Sequence, residues 1–129
     1  MRRDMDLIRE LMLKLEAIPC KPGIVEELSA GEGEMVFDGF SPDEIDYHLN
    51  LIVEAGFLTT HGRMMSGAVL FDRLTWAGHD FVDSVRSPEV WAKTKKGAEA
   101  AGGFTVDLLK DLAKGFIKKQ IEEYTGVKL

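Results

Sequence analysis

The sequence predicts a mainly α domain with a small β-hairpin, an α+β fold, and three observations carry that reading. Apolar residues recur at three- and four-residue steps near both ends of the chain, which is the period of an amphipathic helix. In the middle, Ser41-Pro42-Asp43-Glu44 joins an N-cap serine, a proline suited to the first helical position and a glutamate placed for a capping box. Two apolar runs separated by Gly-containing turn residues follow that helix, as in a hairpin.

In chain order, Leu7, Ile8, Leu11, Met12, Leu15 and Ile18 form one face of a helix from Asp4 to Ala17, with Asp4 and Asp6 suited to its positive amino end. Pro19 and Pro22-Gly23 stop it. Ile24 to Gly33 is rich in Gly and Glu and reads as a loop or a poorly formed helix; Met35-Val36-Phe37, ahead of Asp38-Gly39, reads as a short strand. The Ser41 helix then buries Ile45, Leu49, Ile52 and Val53, and Gly56 stands where a left-handed C-cap belongs. Phe57 to Thr60 and Ala68 to Leu74 are the hairpin strands, with His61-Gly62-Arg63 and Ser66-Gly67 as turn material. Thr75 caps a helix through Arg86, which carries Ala77, Phe81, Val82 and Val85 on one side. Ser87-Pro88-Glu89 restarts a helix with Val90, Trp91 and Ala92, and Gly102-Gly103 breaks the chain again. From Thr105 to about Tyr124 a last helix carries Val106, Leu109, Leu112, Ala113, Phe116, Ile117 and Ile121 on a broad apolar arc.

A chain of 129 residues falls within the usual size of one domain, with 1–86 as its core and 87–129 as a helical extension packed on the same domain. Hydrophobic residues at 45% and charged residues at 29% exclude the disordered class. No stretch approaches the ~18 apolar residues of a spanning helix, and the amino terminus has no secretory pattern. Cys20, the only cysteine, has no partner for an internal disulfide, so a reducing cytoplasm is the expected compartment. The net charge of −6 is unevenly spread: residues 1–85 hold 7 basic and 16 acidic side chains, residues 86–129 hold 9 and 6. An acidic body repels phosphate, so nucleic-acid binding would fall to the carboxyl-terminal third.

The order helix, short strand, capped helix, hairpin is similar to that of winged-helix domains. Ser41 to Leu58, with its His48-Leu49 and Glu54-Ala55-Gly56 landmarks, resembles the recognition helix and first wing strand of bacterial regulators, and Arg73-Leu74-Thr75-Trp76-Ala77-Gly78-His79 resembles the exit from the wing. Taken whole, the chain resembles a family of short bacterial and phage or prophage proteins classed as a domain of unknown function. Arg2 to Arg9, Tyr47 to Gly56 and Arg73 to Phe81 carry that likeness. The resemblance implies a winged-helix-like core and a mobile-element setting, with no biochemical activity to transfer.

Two features depart from a DNA-reading winged helix. The helix expected before the recognition helix is missing or vestigial, since residues 19–40 offer mostly Gly, Pro and Glu. Residues 41–60 carry Asp43, Glu44, Asp46 and Glu54 but no Lys or Arg, leaving Asn50 as the only base-reading side chain there.

Catalytic and metal chemistry find no pattern. His48, His61 and His79 share no ligand spacing with Cys20 or Asp72, and His48 reads as a helix-packing residue. No nucleophile has a recognisable base, and Gly31-x-Gly33 lacks the rest of a dinucleotide motif. The expectation is a non-enzymatic module without catalytic residue, cofactor or metal. Its candidate contacts are Tyr47 and Leu51, one turn apart on the capped helix and rimmed by Asp43, Asp46 and Glu54, together with Trp76, which falls opposite the apolar side of its own helix and is either packed by another element or exposed as an interface. The partner would be another protein or a second copy forming a homodimer. The competing reading is a DNA-binding regulator that uses Asn50, Arg63 of the wing and the carboxyl-terminal basic clusters. Lys110, Lys114 and Lys118 repeat every four residues beside Asp107 and Asp111, first of all a solvated face with helical ion pairs, and in that competing reading a contact for phosphate or an acidic partner.

Overall fold

A computed structural model describes residues 1–103 and 105–129, with the side chains of Val106, Leu109, Lys110, Leu112, Ala113 and Phe116 outside the description. It forms an α+β fold of two compact units, Met1–Val82 and Asp83–Leu129.

In the first unit, helix α1 (Met5–Ala17) starts where Asp4 can cap it: the Asp4 carboxylate accepts the Leu7 N–H at 3.1 Å, satisfying one orphan donor of the first turn. Met5, Leu7, Ile8, Leu11, Met12 and Leu15 are buried along one stripe, as the spacing requires. Strand β1 (Glu26–Leu28) then corrects the expectation for this region. The strand lies here and not at Met35-Val36-Phe37, which is non-regular chain. Glu26 and Glu27 are exposed and only Leu28 is buried, so no alternation announces the strand. Pairing with a later strand makes it. Met35 is buried instead as the end of a tight loop, in which the Gly31 N–H donates to its carbonyl at 2.8 Å.

Helix α2 (Pro42–Glu54) has both halves of the capping box: the Ser41 hydroxyl accepts the Glu44 N–H and the Glu44 carboxylate accepts the Ser41 N–H, each at 3.2 Å. It ends in a Schellman motif. The Gly56 N–H donates to Val53 O at 3.0 Å and the Phe57 N–H to Ile52 O at 3.1 Å, with Gly56 at φ 79°, where any side chain would be strained. Ile45, Leu49 and Ile52 are buried as expected, whereas Val53 is half-buried and His48 joins the core. The Asp4 N–H donates to His48 Nε2 at 2.8 Å, so that nitrogen is unprotonated. Nδ1 then carries the hydrogen and donates to the Glu44 carbonyl at 2.7 Å. A neutral histidine thus joins the start of α1 to α2. Leu49 is fully buried, and replacing it with alanine is expected to destabilise the fold by about 2 to 5 kcal/mol in denaturant unfolding. A loss below about 1 kcal/mol would place it outside the core.

Strands β2 (Leu58–Arg63) and β3 (Val69–Leu74) form the expected hairpin, and β1 pairs with the far side of β3, giving an antiparallel sheet of order β1-β3-β2. His61-Gly62-Arg63, expected as turn, belongs to β2. The register shifts between Thr60 and Arg63, and Gly62 at φ 85° adopts the left-handed conformation such an irregularity needs. The turn itself is closed by the Met64 N–H on the Ala68 carbonyl at 2.9 Å.

Helix α3 (Trp76–Val85) opens on a tight junction. The Thr75 hydroxyl accepts the Gly78 N–H at 3.0 Å and donates to Gly56 O at 2.6 Å, while the Thr75 N–H donates to Phe57 O at 3.0 Å. The rings of Phe57 and Phe81 stack at 5.0 Å between centroids. The end of α2 and the start of α3 are therefore held together by backbone, cap and ring at once.

In the second unit, α4 (Pro88–Ala100) is capped by Ser87 and buries Val90, Trp91, Thr94 and Ala98; the Thr94 hydroxyl donates to Val90 O at 2.7 Å. Helix α5 (Val106–Thr125) is capped by Thr105 and packs against α4. Of its expected apolar arc, Val106, Leu109, Leu112, Ala113 and Phe116 lie outside the described residues, Ile117 is half-buried and Ile121 is exposed.

Candidate interaction surface

Side chains four apart on a helix lie on one face, so Asp46 and Asn50 of α2 point the same way. The β2–β3 turn brings Arg63 onto that face. Its Nη1 donates to Asp46 Oδ1 at 2.7 Å and to the Gly67 carbonyl at 2.8 Å, and its Nη2 donates to Asn50 Oδ1 at 2.6 Å. Arg63 and Asp46 are about one third exposed, so solvent screens their attraction and the pair adds only about 0 to 1 kcal/mol to stability. The effect on chemistry is larger: the hairpin arginine is neutralised, and the carbonyl of the one amide that could read a base edge is occupied.

Elsewhere α2 presents Asp43 and Glu54 to solvent, with Tyr47 at 39% exposure and Leu51, one turn on, half-buried. A second acidic surface lies in a cleft of about 430 Å³ where Glu26, Glu27, Glu32 and Glu34 rim a floor that includes Leu28 and Met35. Both surfaces carry the sign that repels nucleic acid.

Trp76, at the first position of α3, is 84% exposed. It stands on an apolar groove of about 480 Å³ that is also lined by Leu15, Ile18 and Leu74. Arg73 and His79 border the groove from β3 and α3, Glu16 borders it from α1, and the exposed Cys20 opens into it.

On α5, Lys114 and Lys118 are exposed, while Lys110 lies outside the described residues. Lys93 and Lys96 of α4 are exposed, and Lys95 holds its ammonium 5.9 Å from the centroid of the Trp91 ring. The histidines are dispersed: His48 is buried between α1 and α2, exposed His61 lies 3.9 Å from an Asp72 carboxylate oxygen, and His79 is exposed at the groove. Among the described residues, no group of three or more His, Cys, Asp and Glu side chains could hold a metal ion, and no helix is long and apolar enough to cross a membrane.

The structure thus joins Asn50 to Arg63 and leaves Trp76 on a different surface. Sequence reasoning missed the role of Asp46 and the groove around Trp76. The four-residue spacing of Asp46 and Asn50 was a usable signal for a shared partner; which arginine arrives there depends on the turn. Arg73 carries no local signal, because Leu15 of α1 and Ile18 at its C-cap, which line the groove with it, are more than fifty residues away.

A family model described as "Hypothetical protein (DUF2513)" matches residues 2–104. The chain is also similar to an uncharacterized protein of Haemophilus influenzae, 27% identical over 127 residues, an alignment that covers 94% of this chain and 99% of that protein. No solved structure matches it.

Proposed function

We propose that this chain, which belongs to the DUF2513 family of hypothetical proteins, is a non-enzymatic protein-interaction module built on a winged-helix-type scaffold. The scaffold reading is supported by the order α1-β1-α2-β2-β3 with sheet order β1-β3-β2, where α2 takes the place of a recognition helix and the β2–β3 hairpin that of a wing. Residues 29–41, where a DNA-binding relative would carry another helix, contain turns. A cytoplasmic setting goes with this reading through the lone thiol, and a phage or prophage setting through the sequence resemblance.

The observation that carries the function is the pairing of Arg63 with Asp46 and Asn50. A wing and recognition helix that read DNA direct their cations and amides outward to phosphates and base edges. Here those groups are bonded to one another amid exposed carboxylates.

The test is a titration with duplex DNA at two salt concentrations, since phosphate contacts lose affinity steeply with salt. No appreciable binding at physiological salt is expected from the wild type. The same holds for an Asp46→Asn, Glu54→Gln double variant, although it removes two charges and releases Arg63 from its carboxylate. A pull-down is expected to recover a protein partner. Sequence-specific binding tighter than about 0.1 μM, lost on changing Asn50 or Arg63, would replace this function with that of a regulator. The exposed Lys114 and Lys118 are the place where such a regulator would take phosphate.

A further inference from the structure

Single exposed apolar residues are ordinary on protein surfaces, but Trp76 stands over a groove whose floor, Leu15, Ile18 and Leu74, is apolar too. The charge beside it is of the minority sign in this unit, which holds 7 basic and 15 acidic side chains. Arg9 pairs with Glu10 and Arg63 with Asp46. The Arg73 guanidinium donates only to the neutral Leu74 carbonyl, at 3.3 Å, and meets no carboxylate among the described residues. His79, three residues after Trp76, lies on the same side of α3 and adds a second nitrogen donor or acceptor at the rim.

We propose that this groove docks a segment of a partner protein in which an aromatic or aliphatic residue adjoins a single carboxylate. The apolar residue lies on the Trp76 indole over Leu15, Ile18 and Leu74, and the carboxylate takes the fork of Arg73, a geometry in which two charge-assisted hydrogen bonds form in parallel. The proposal rests on the protein-interaction reading and gives it a place and a ligand chemistry. A large aromatic anchor and an arginine together are the residue types that most often dominate an interface.

The test selects peptides from a displayed library of short random sequences on the full chain, with Trp76→Ala as counter-selection. The recovered peptides are expected to share an Asp or Glu next to an apolar residue. Synthesised singly, they should shift Trp76 emission to shorter wavelength and slow alkylation of Cys20, the exposed thiol in the groove, by about tenfold, while Trp76→Ala and Arg73→Glu each weaken binding by about tenfold or more, the scale of losing an interface anchor. Selection on the Arg73→Glu chain should exchange the acid for Lys or Arg. If either variant shifts the unfolding midpoint, Trp76→Gln and Arg73→Gln repeat the measurement. No shared pattern, or binding unchanged in both variants, overturns the proposal. Peptides whose binding is lost on Tyr47→Ala or Leu51→Ala and kept on Trp76→Ala overturn the groove while leaving the interaction reading intact. Cys20 protection that rises with protein concentration alone identifies a second copy as the occupant and overturns the partner segment. Sequence-specific DNA binding with no peptide recovered overturns both.

Discussion

Replacing Gly78 with alanine is expected to destabilise the Met1–Val82 unit by roughly 2 kcal/mol or more, against the direction that helix propensity alone dictates. Alanine in a helix is favoured over glycine by about 1 kcal/mol. At Gly78, however, an added Cβ would overlap the Phe57 carbonyl oxygen and crowd the Phe57 Cα. Overpacking costs about 1 to 3 kcal/mol or more, and the upper end applies because the obstacle is backbone. The Phe57 carbonyl cannot step aside without giving up the Thr75 N–H, and Thr75 in turn holds Gly56 and caps α3. Gly115 on α5 is the control, since among the described residues nothing lies within 4 Å of where an added Cβ would stand. Gly115→Ala should gain up to about 1 kcal/mol. Denaturant unfolding of the two variants decides the matter: a Gly78→Ala chain as stable as the wild type would mean that α3 does not lie this close to Phe57.

The second large effect is expected at Phe81. Its ring is fully buried and stacks on Phe57 at 5.0 Å with an interplanar angle of 21°, so Phe81→Ala removes both burial and an aromatic pair. A loss of about 3 to 5 kcal/mol is expected from the cavity and the lost transfer energy. To separate the pair from the burial, Phe57→Leu and Phe81→Leu are combined in a double-mutant cycle, which keeps both sites apolar. A coupling of about 0.5 to 1.5 kcal/mol is expected if the stack itself contributes. Phe81→Ala losing less than about 1.5 kcal/mol would remove Phe81 from the core, and zero coupling would reduce the stack to plain apolar contact.

These two positions show where sequence reasoning reached its end. Phe81 was legible as a core residue, because it recurs with Val82 and Val85 on one face of a helix. Its stacking partner was not. Gly78 read only as a weak helix former, since nothing near it in the chain says that a carbonyl from residue 57 occupies the space of its missing side chain. The candidate surface divides in the same way: helical periodicity sets Tyr47 and Leu51 away from the buried stripe of α2, where Tyr47 is exposed and Leu51 half-buried, but leaves Trp76 either packed or exposed, and the structure exposes it. In the DNA-binding reading Asn50 and Arg63 are separate contacts, whereas the structure bonds them to each other.

Features with local causes are legible in the chain. Ser41, Pro42, Glu44 and Gly56 set both ends of α2, because a cap depends on side chains within a few residues of the backbone groups they satisfy. The stripes of α1 and α3 follow equally from a period of 3.6 residues. The remaining features depend on long-range packing. Glu26–Leu28 is a strand because β3 offers it an edge, with pairing partners more than forty residues away that no local pattern encodes. The pairing of Arg63 with Asp46 and Asn50 depends on an irregular hairpin register, and the groove at Trp76 on where α1 crosses the end of β3. Side chains distant in sequence meet only where packing brings them, and it is there that the charge of the candidate surface is set.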